Sequence, residues 1–269
     1  MKIALMTGAD FGYATKIQPY LHSIAKNSNF DKNILVYTGD ESLTEVCDIE
    51  NIEVLRMKRS LDAAPNENNC LQHGSWLHAE GLNLEDEDVV VFTDGDIVLQ
   101  RGLMEWERSW FSTLNHGEIA IGRNRLNQDD LYEEATFLQP KISVDSIQQD
   151  LKENLKEIPC RNTGVIACRV STWKILYEEY VKDWPQISSY FGHYAKQQWL
   201  ICLVINKDPR LILIDMPGVI HSHAHHYAIP PWTWNSAENL VYHFGRPILF
   251  LHCYHSWWIY LRLPTKHHK

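Results

Sequence analysis

The sequence predicts an α/β protein whose mixed, mostly parallel sheet is flanked by helices, and three observations lead to this prediction. Short apolar runs alternate with segments whose apolar residues recur at helical spacing, as in strand–helix–strand units. One run, residues 88–93, is almost purely apolar, as expected of a central strand covered on both faces. Of the 269 residues, 45% are apolar and 22% are charged, which is typical of globular proteins. We therefore expect a single domain over residues 1–256 and a C-terminal tail over 257–269.

The predicted elements of the first half alternate regularly. In the first helix, Ile17, Leu21 and Ile24 recur at the spacing of one helix face. The elements are a strand over 2–7, a helix over 13–27, strands over 33–38 and 52–57, a helix over 66–83 and the central strand over 88–93. This order predicts right-handed crossovers between parallel strands.

The second half keeps this pattern with less regular spacing. The polar segment 128–157 predicts helix or loop, and Ser171 is a candidate N-cap for the helix that follows it. The other predicted elements are strands over 118–122, 163–168, 211–215 and 248–251, and helices over 171–182 and 190–206.

Charge and composition exclude several classes of protein. The net charge is −9 and the pI is about 5.8, so nucleic acid is not an expected partner, because phosphate binding needs clustered Lys and Arg. Near the C-terminus, the stretch 247–261 has no charged residue but is shorter than the roughly 20 residues of a membrane helix. The six cysteines have no C-x-x-C spacing, which excludes zinc-ribbon and thioredoxin sites. No signal peptide is visible, so we expect a reduced, cytoplasmic protein.

The strongest functional signal is an acidic turn, Asp94-Gly95-Asp96, directly after the central strand. Ligands of open α/β sheets bind outside the carboxyl ends of the strands, where this turn is expected to lie. Two carboxylates on one tight turn can hold a hard divalent cation, and such a cation can clamp a diphosphate. A solvated Asp-Gly turn is the alternative, but apolar segments flank the turn on both sides and favour a site.

Four segments in chain order together resemble the GT-A-fold glycosyltransferases. The strand and D-x-D turn, 92–103, resemble the segment with which that family holds a nucleotide-sugar diphosphate. Residues 9–14 resemble its A-D-x-x-Y-A loop, 162–166 its N-[ST]-G-V strand and 250–252 its I-x-H-F segment. The resemblance is strongest to the retaining branch that contains glycogenin and the bacterial lipopolysaccharide galactosyltransferases.

This resemblance implies a metal-dependent transferase that moves a sugar from a nucleotide sugar, in the first place a UDP-sugar, to a hydroxyl acceptor. The acceptor would be a glycan, a lipid-linked molecule or a protein, and the cation Mn²⁺ or Mg²⁺. The implied residues are Asp94, Asp96 and His252 for the metal; Thr7, Gly8, Asp10, Tyr13, Asp94 and Gly95 for the donor nucleotide; and Asn162, Gln197 and Gln198 for the reaction at the donor sugar.

The sequence departs from the family pattern at three places. Gln197 stands where the family has an Asp, although Gln198 keeps the position of its Gln. There is no Lys or Arg between Arg59 and Arg101, and the usual Gly-x-x-Lys-Pro-Trp ending is missing. The missing carboxylate at Gln197 leaves open a second hypothesis, a non-catalytic protein of the same fold that binds a sugar nucleotide or a glycan.

A histidine cluster over residues 221–226 supports a third, weaker hypothesis. Its H-x-H-x-H-H pattern resembles the zinc motif of metallo-β-lactamase-type hydrolases, but only 43 residues follow it, too few for the remaining ligands of such a site. A surface cluster without a ligand is an alternative, and either His221 or His223 is an alternative to His252 as metal ligand. Because Pro-Gly and Pro-Pro pairs flank the cluster, we expect it to lie in a loop over the site.

Aromatic residues near the C-terminus suggest two further contacts. Trp257, Trp258 and Tyr260 precede a basic end, a combination that suits weak peripheral association with a membrane surface. The stretch has no clear amphipathic period, which slightly favours the alternative, packing of these aromatic residues on the domain. The segment 230–234 contains two Trp residues and is a candidate wall of the acceptor site, since aromatic faces often stack on sugar rings; packing within the domain is an equal alternative.

Overall fold

The computed structural model describes residues 1–9, 17–37, 49–57, 74–123, 157–188, 196–223, 232–235, 237–238 and 240–253. Its strands are β1 (Ile3–Ala9), β2 (Lys32–Tyr37), β3 (Glu53–Arg56), β4 (Val89–Thr93), β5 (Ile97–Leu99), β6 (Glu118–Arg123), β7 (Arg161–Arg169), β8 (Ile212–Asp215), β9 (His221–His223), β10 (Trp232–Asn235), β11 (Leu240–His243), β12 (Arg246–Pro247) and β13 (Phe250–His252). Its helices are α1 (Gln18–Asn27), a 3₁₀ turn (Ser75–His78), α2 (Glu105–Ser112), α3 (Val170–Ser188) and α4 (Lys196–Lys207).

A seven-stranded sheet in the order β3-β2-β1-β4-β7-β6-β8 forms the centre of the protein. Strand β7 runs antiparallel to both neighbours, while the other four pairings of the sheet are parallel. The predicted α/β fold with a mixed, mostly parallel sheet is therefore confirmed.

Strand β4 lies in the middle of this sheet and is covered on both faces. Val89 and Val91 belong to the apolar cluster beneath α1, and Val90 and Phe92 belong to the opposite cluster beneath α3 and α4. Every residue of β4 is at most 1% exposed. Burying side chains of this size contributes about 1.5–3 kcal/mol each, so the strand is a rigid support for the turn that follows it.

Two small sheets lie beside the main one. In the first, β13 pairs antiparallel with β5 and parallel with β9, which brings the C-terminal part of the described chain back to the end of β4. The second is the antiparallel sheet β10-β11-β12. The predicted strand 248–251 is thus shifted to Phe250–His252.

The histidine cluster was expected in a loop, and for its first three residues this expectation is wrong. His221–His223 form β9, because parallel pairing with β13 satisfies their backbone groups. Residues 224–226 lie outside the described residues.

Two helix predictions also need correction. Of the helix predicted over 66–83, residues 66–73 lie outside the described residues, and the rest contains only the 3₁₀ turn, where Trp76 packs edge-on against Trp173. Ser171 is not an N-cap but lies within α3, whose first N–H groups instead donate to the backbone oxygens of Asp88 and Asp86.

The helix predicted over 13–27 begins at Gln18 in the described residues, and that predicted over 190–206 is described from Lys196 to Lys207. Helix α3 extends beyond the predicted 182 to Ser188. Within the described parts of the chain, none of the helices combines the length and the apolar character needed to cross a membrane.

Candidate metal centre

The acidic turn is fixed at both ends by the strands around it. The backbone N–H of Asp94 donates to the oxygen of Gly164 at 2.8 Å, and the oxygen of Asp96 accepts from the N–H of Cys253 at 2.9 Å. Asp94 is half-buried and Asp96 is buried. The predicted position of these carboxylates, at the carboxyl end of a central strand, is therefore confirmed.

His252 is placed opposite this turn by the pairing of β13 with β5. The register sets His252 beside Ile97, the first residue after Asp96 in the chain. The imidazole Nε2 lies 3.2 Å from Oδ1 of Asp96. One side-chain ligand atom from each of Asp94, Asp96 and His252 lies within 4.8 Å of the others, which makes these residues a candidate cation site.

The electrostatics of this group favour a bound cation. Burial lowers the pKa of His252, but the charge of Asp96, its hydrogen bond and the charge of Asp94 oppose this effect and leave the pKa raised. A neutral imidazole nitrogen and a carboxylate oxygen at this distance repel each other unless a proton or a metal ion lies between them. Two carboxylates suit Mg²⁺ and Mn²⁺ and an imidazole suits transition metals, so the residues present fit a divalent ion such as Mn²⁺.

Asn162 reaches the same group because β7 is irregular. Against β6 the register shifts between Ile121, which pairs with Ile166, and Gly122, which pairs with Asn162. Residues 163–165 therefore form a bulge, a device that re-aims side chains near functional sites. The side-chain Oδ1 of Asn162 lies 3.2 Å from Nδ1 of His252.

His221 packs against His252 but lies outside the three-residue ligand group. The two rings are stacked with their centroids 5.6 Å apart. Burial, with a smaller effect from His252, places the pKa of His221 well below its usual value, which favours the neutral imidazole.

Two glycines leave the space that the histidine rings occupy. A Cβ atom on Gly122 would lie 2.2 Å from Nδ1 of His221, and one on Gly164 would lie 2.5 Å from Cε1 of His252. Sequence reasoning did not assign these glycines a role at the metal. A Gly inside a predicted strand two residues after Asn162 is, however, a known signal for a bulge or a close approach.

The other predicted residues are described only in part. Thr7 and Gly8 lie at the carboxyl end of β1, and the Thr7 hydroxyl donates to the oxygen of Thr93 at 2.9 Å, so they border the site. Gln198 is half-buried in the first turn of α4, with Nε2 3.6 Å from Sγ of Cys160. Asp10, Tyr13 and the side chain of Gln197 lie outside the described residues, and so do the predicted aromatic tail and the Trp side chains of β10.

Neither a protein-family model nor a curated protein sequence matches this chain. Among solved structures, the chain is similar to the galactosyltransferase LgtC in complex with donor and acceptor sugar analogues, with a TM-score of 0.55, 12% identity, and 93% of this chain and 86% of the other covered. It is similar to mouse xyloside xylosyltransferase 1 in its apo form, with a TM-score of 0.57, 12% identity, and 94% and 98% covered. At this identity the likeness concerns the fold, and it agrees with the resemblance of the four sequence segments: the chain has the GT-A glycosyltransferase fold.

Proposed function

We propose that this protein is a metal-dependent glycosyltransferase that moves a hexosyl or pentosyl group from a nucleotide-diphosphate sugar, preferentially a UDP-sugar, to a hydroxyl group of an acceptor. The acceptor class we propose is a glycan, either free or carried on a lipid or a protein. The observation that carries the proposal is the convergence of Asp94, Asp96 and His252 at the carboxyl end of β4.

The fold and the donor set support this proposal together. In open α/β sheets, ligands bind at this edge. The two carboxylates of the acidic turn would repel an anionic diphosphate, so the diphosphate can bind here only if a cation lies between them. The similar solved structures transfer galactose and xylose, according to their names, which supports both a hexose and a pentose as candidates.

In the proposed reaction, Asp94, Asp96 and His252 hold the cation. When bound, Mn²⁺ or Mg²⁺ supplies positive charge to the diphosphate leaving group. The rigid turn orients the carboxylates, and Gly95 lets the backbone approach the phosphates. Thr7 and Gly8 at the carboxyl end of β1, together with Asp10 and Tyr13, hold the nucleoside.

We propose that Gln198 and Gln197 lie near the anomeric carbon and that Asn162 borders the donor sugar. The bond between the anomeric carbon and the phosphate oxygen breaks, and the acceptor oxygen forms the new bond to this carbon. In a retaining reaction the released diphosphate takes the acceptor proton, so no strong protein base is required on the acceptor side.

The first experiment is a thermal-shift screen of nucleotide sugars with and without Mn²⁺. A ligand that binds only the native state raises its stability by RT ln(1 + [L]/Kd), so we expect a shift with one donor class and only when Mn²⁺ is present. Shifts that do not depend on the metal would contradict the proposed site.

The second experiment separates catalysis from binding. Release of the nucleoside diphosphate in the presence of acceptor glycans is measured for the wild type, Asp96→Asn and Asp86→Asn. Asp86 is a matched control because it is an exposed Asp paired with Lys174. We expect turnover in the wild type and the control but not in Asp96→Asn; donor binding without turnover by any acceptor class would instead favour the non-catalytic hypothesis.

A further inference from the structure

Asn162 makes two contacts that together determine which nitrogen of His252 carries a proton. Its Oδ1 accepts a hydrogen bond from the backbone N–H of Gly164 at 3.0 Å. The same oxygen lies 3.2 Å from Nδ1 of His252, and both side chains are buried. Because the same Asn162 atom contacts both groups, the hydrogen bond from the backbone N–H of Gly164 determines whether this atom is an acceptor toward the imidazole.

The proton positions follow from this chain of contacts. A backbone N–H can only donate, so the Asn162 atom that faces Gly164 must be the carbonyl oxygen and not the amide nitrogen. A carbonyl oxygen can only accept, so Nδ1 of His252 must carry a proton. With the cation bound, the neutral imidazole keeps this single N–H, and the lone pair of Nε2, the nitrogen that faces Asp96, binds the ion; without the cation, a proton takes its place between Nε2 and Asp96.

We infer that Asn162 is a positioning residue of the metal site, whose hydrogen bond holds His252 in the Nδ1–H tautomer and presents Nε2 to the cation. This inference rests on the proposed function, because it takes Asp94, Asp96 and His252 as the metal ligands. It gives Asn162 an effect on metal affinity in the absence of any nucleotide sugar, which a residue that contacts only the donor sugar would not have.

The surroundings of the imidazole restrict it further. Gly164 donates the N–H that orients Asn162, and a Cβ on Gly164 would lie within 2.8 Å of Asn162 Oδ1 as well as against His252. The ring of His221 stacks on the ring of His252. Partners of this kind fix the orientation of metal-ligating histidines in proteins, and their removal typically lowers metal affinity 10- to 100-fold.

The test is a double-mutant cycle on Mn²⁺ affinity, measured without nucleotide sugar by electron paramagnetic resonance of free Mn²⁺. We expect Asn162→Ala to weaken binding about 10- to 100-fold. Asn162→Asp should retain wild-type affinity or exceed it, because a carboxylate accepts both hydrogen bonds. In the His252→Ala background, Asn162→Ala should cause no further loss, because Asn162 acts through His252.

Asn29→Ala is the matched control. The Asn29 side chain accepts from the N–H of Leu103 and donates to its oxygen. Asn29 precedes the start of β2, at the edge of the parallel strands opposite to the carboxyl end of β4. We expect its Mn²⁺ affinity to equal that of the wild type. Circular dichroism of each variant verifies the fold.

A second measurement needs no variant of Asn162. In ¹⁵N-histidine NMR of the wild type loaded with diamagnetic Zn²⁺, His252 should show a protonated Nδ1 and a metal-bound Nε2; its resonances are assigned by their loss in His252→Ala. A protonated Nε2 would overturn the inference. Unchanged Mn²⁺ affinity in Asn162→Ala, or an equal loss in the His252→Ala background, would also overturn it. A wild type that binds neither Mn²⁺ nor Zn²⁺ contradicts the proposed function and the inference together, whereas a wild type that binds Mn²⁺ with the wrong response to Asn162→Ala contradicts the inference alone.

Discussion

The two sides of the candidate site are built in different ways. On one side, the regular and fully buried strand β4 leads directly into Asp94 and Asp96. On the other side, Asn162 lies next to the bulge in β7 and His252 lies on β13, and contacts between polar side chains and glycines hold them in place. The position of Asp94 and Asp96 therefore depends on apolar burial of the preceding strand, whereas the position of Asn162 and His252 depends on a few specific polar contacts and on the space left by glycines.

The largest expected effect on stability comes from the regular side. Phe92 is buried in β4 and packs edge-on against Trp173, with 5.9 Å between the ring centroids. Phe92→Ala should lower the free energy of unfolding by about 3–5 kcal/mol, measured by urea denaturation. The Mn²⁺ affinity of the folded variant should change little. A loss of metal affinity as large as that of Asn162→Ala would show that the two sides are not separate.

The next effect tests the irregular side. Gly164→Ala places a methyl group 2.5 Å from Cε1 of His252, so the ring or the bulge must move. We expect a stability loss of about 1–3 kcal/mol from overpacking and a fall in Mn²⁺ affinity of about 10- to 100-fold. Unchanged Mn²⁺ affinity would mean that His252 does not need its observed position to bind the ion.

The same difference explains how much could be predicted from the sequence. Strand β4 was predicted within one residue of its bounds, because a continuous apolar run between polar segments reports burial on both faces. The acidic turn and its position at the sheet edge were predicted directly from its place after this apolar run. These features are local, so they can be read from neighbouring residues.

The features that were not predicted depend on pairing between distant segments. Strand β9 was expected to be a loop because of the Pro pairs around it, and only its pairing with β13 makes it a strand. Helix α2 was not predicted, although Glu107 accepts from the N–H of Met104 as in a capping box. The hydrogen bond between Asn162 and His252 joins residues 90 positions apart, which no local pattern reports.

Gly122→Ala should have a smaller effect on the metal than Gly164→Ala. The added methyl group would lie 2.2 Å from Nδ1 of His221, so we expect a comparable stability loss of about 1–3 kcal/mol. His221 lies outside the ligand group, so Mn²⁺ affinity should fall less than tenfold, below the roughly 10- to 100-fold range expected when a ligand's partner is lost. A fall equal to that of Gly164→Ala would make His221 a ligand or an essential support.

The smallest effect is expected for the ion pair between Asp86 and Lys174, whose side chains are 57% and 52% exposed. Asp86→Asn should lower the free energy of unfolding by about 0–1 kcal/mol, and the difference should shrink as salt is added. Urea denaturation at two ionic strengths measures it. A larger effect that is independent of salt would indicate an interaction other than the exposed pair.

The most direct test of the metal site is to identify the atoms that bind the ion. Electron spin-echo envelope modulation of protein-bound Mn²⁺ detects a directly coordinated ¹⁴N nucleus. The wild type and His221→Ala should both show the coupling of one imidazole nitrogen, and His252→Ala should lack it. A nitrogen coupling that persists in His252→Ala, or that disappears in His221→Ala, would contradict the assignment of Asp94, Asp96 and His252 as the metal ligands.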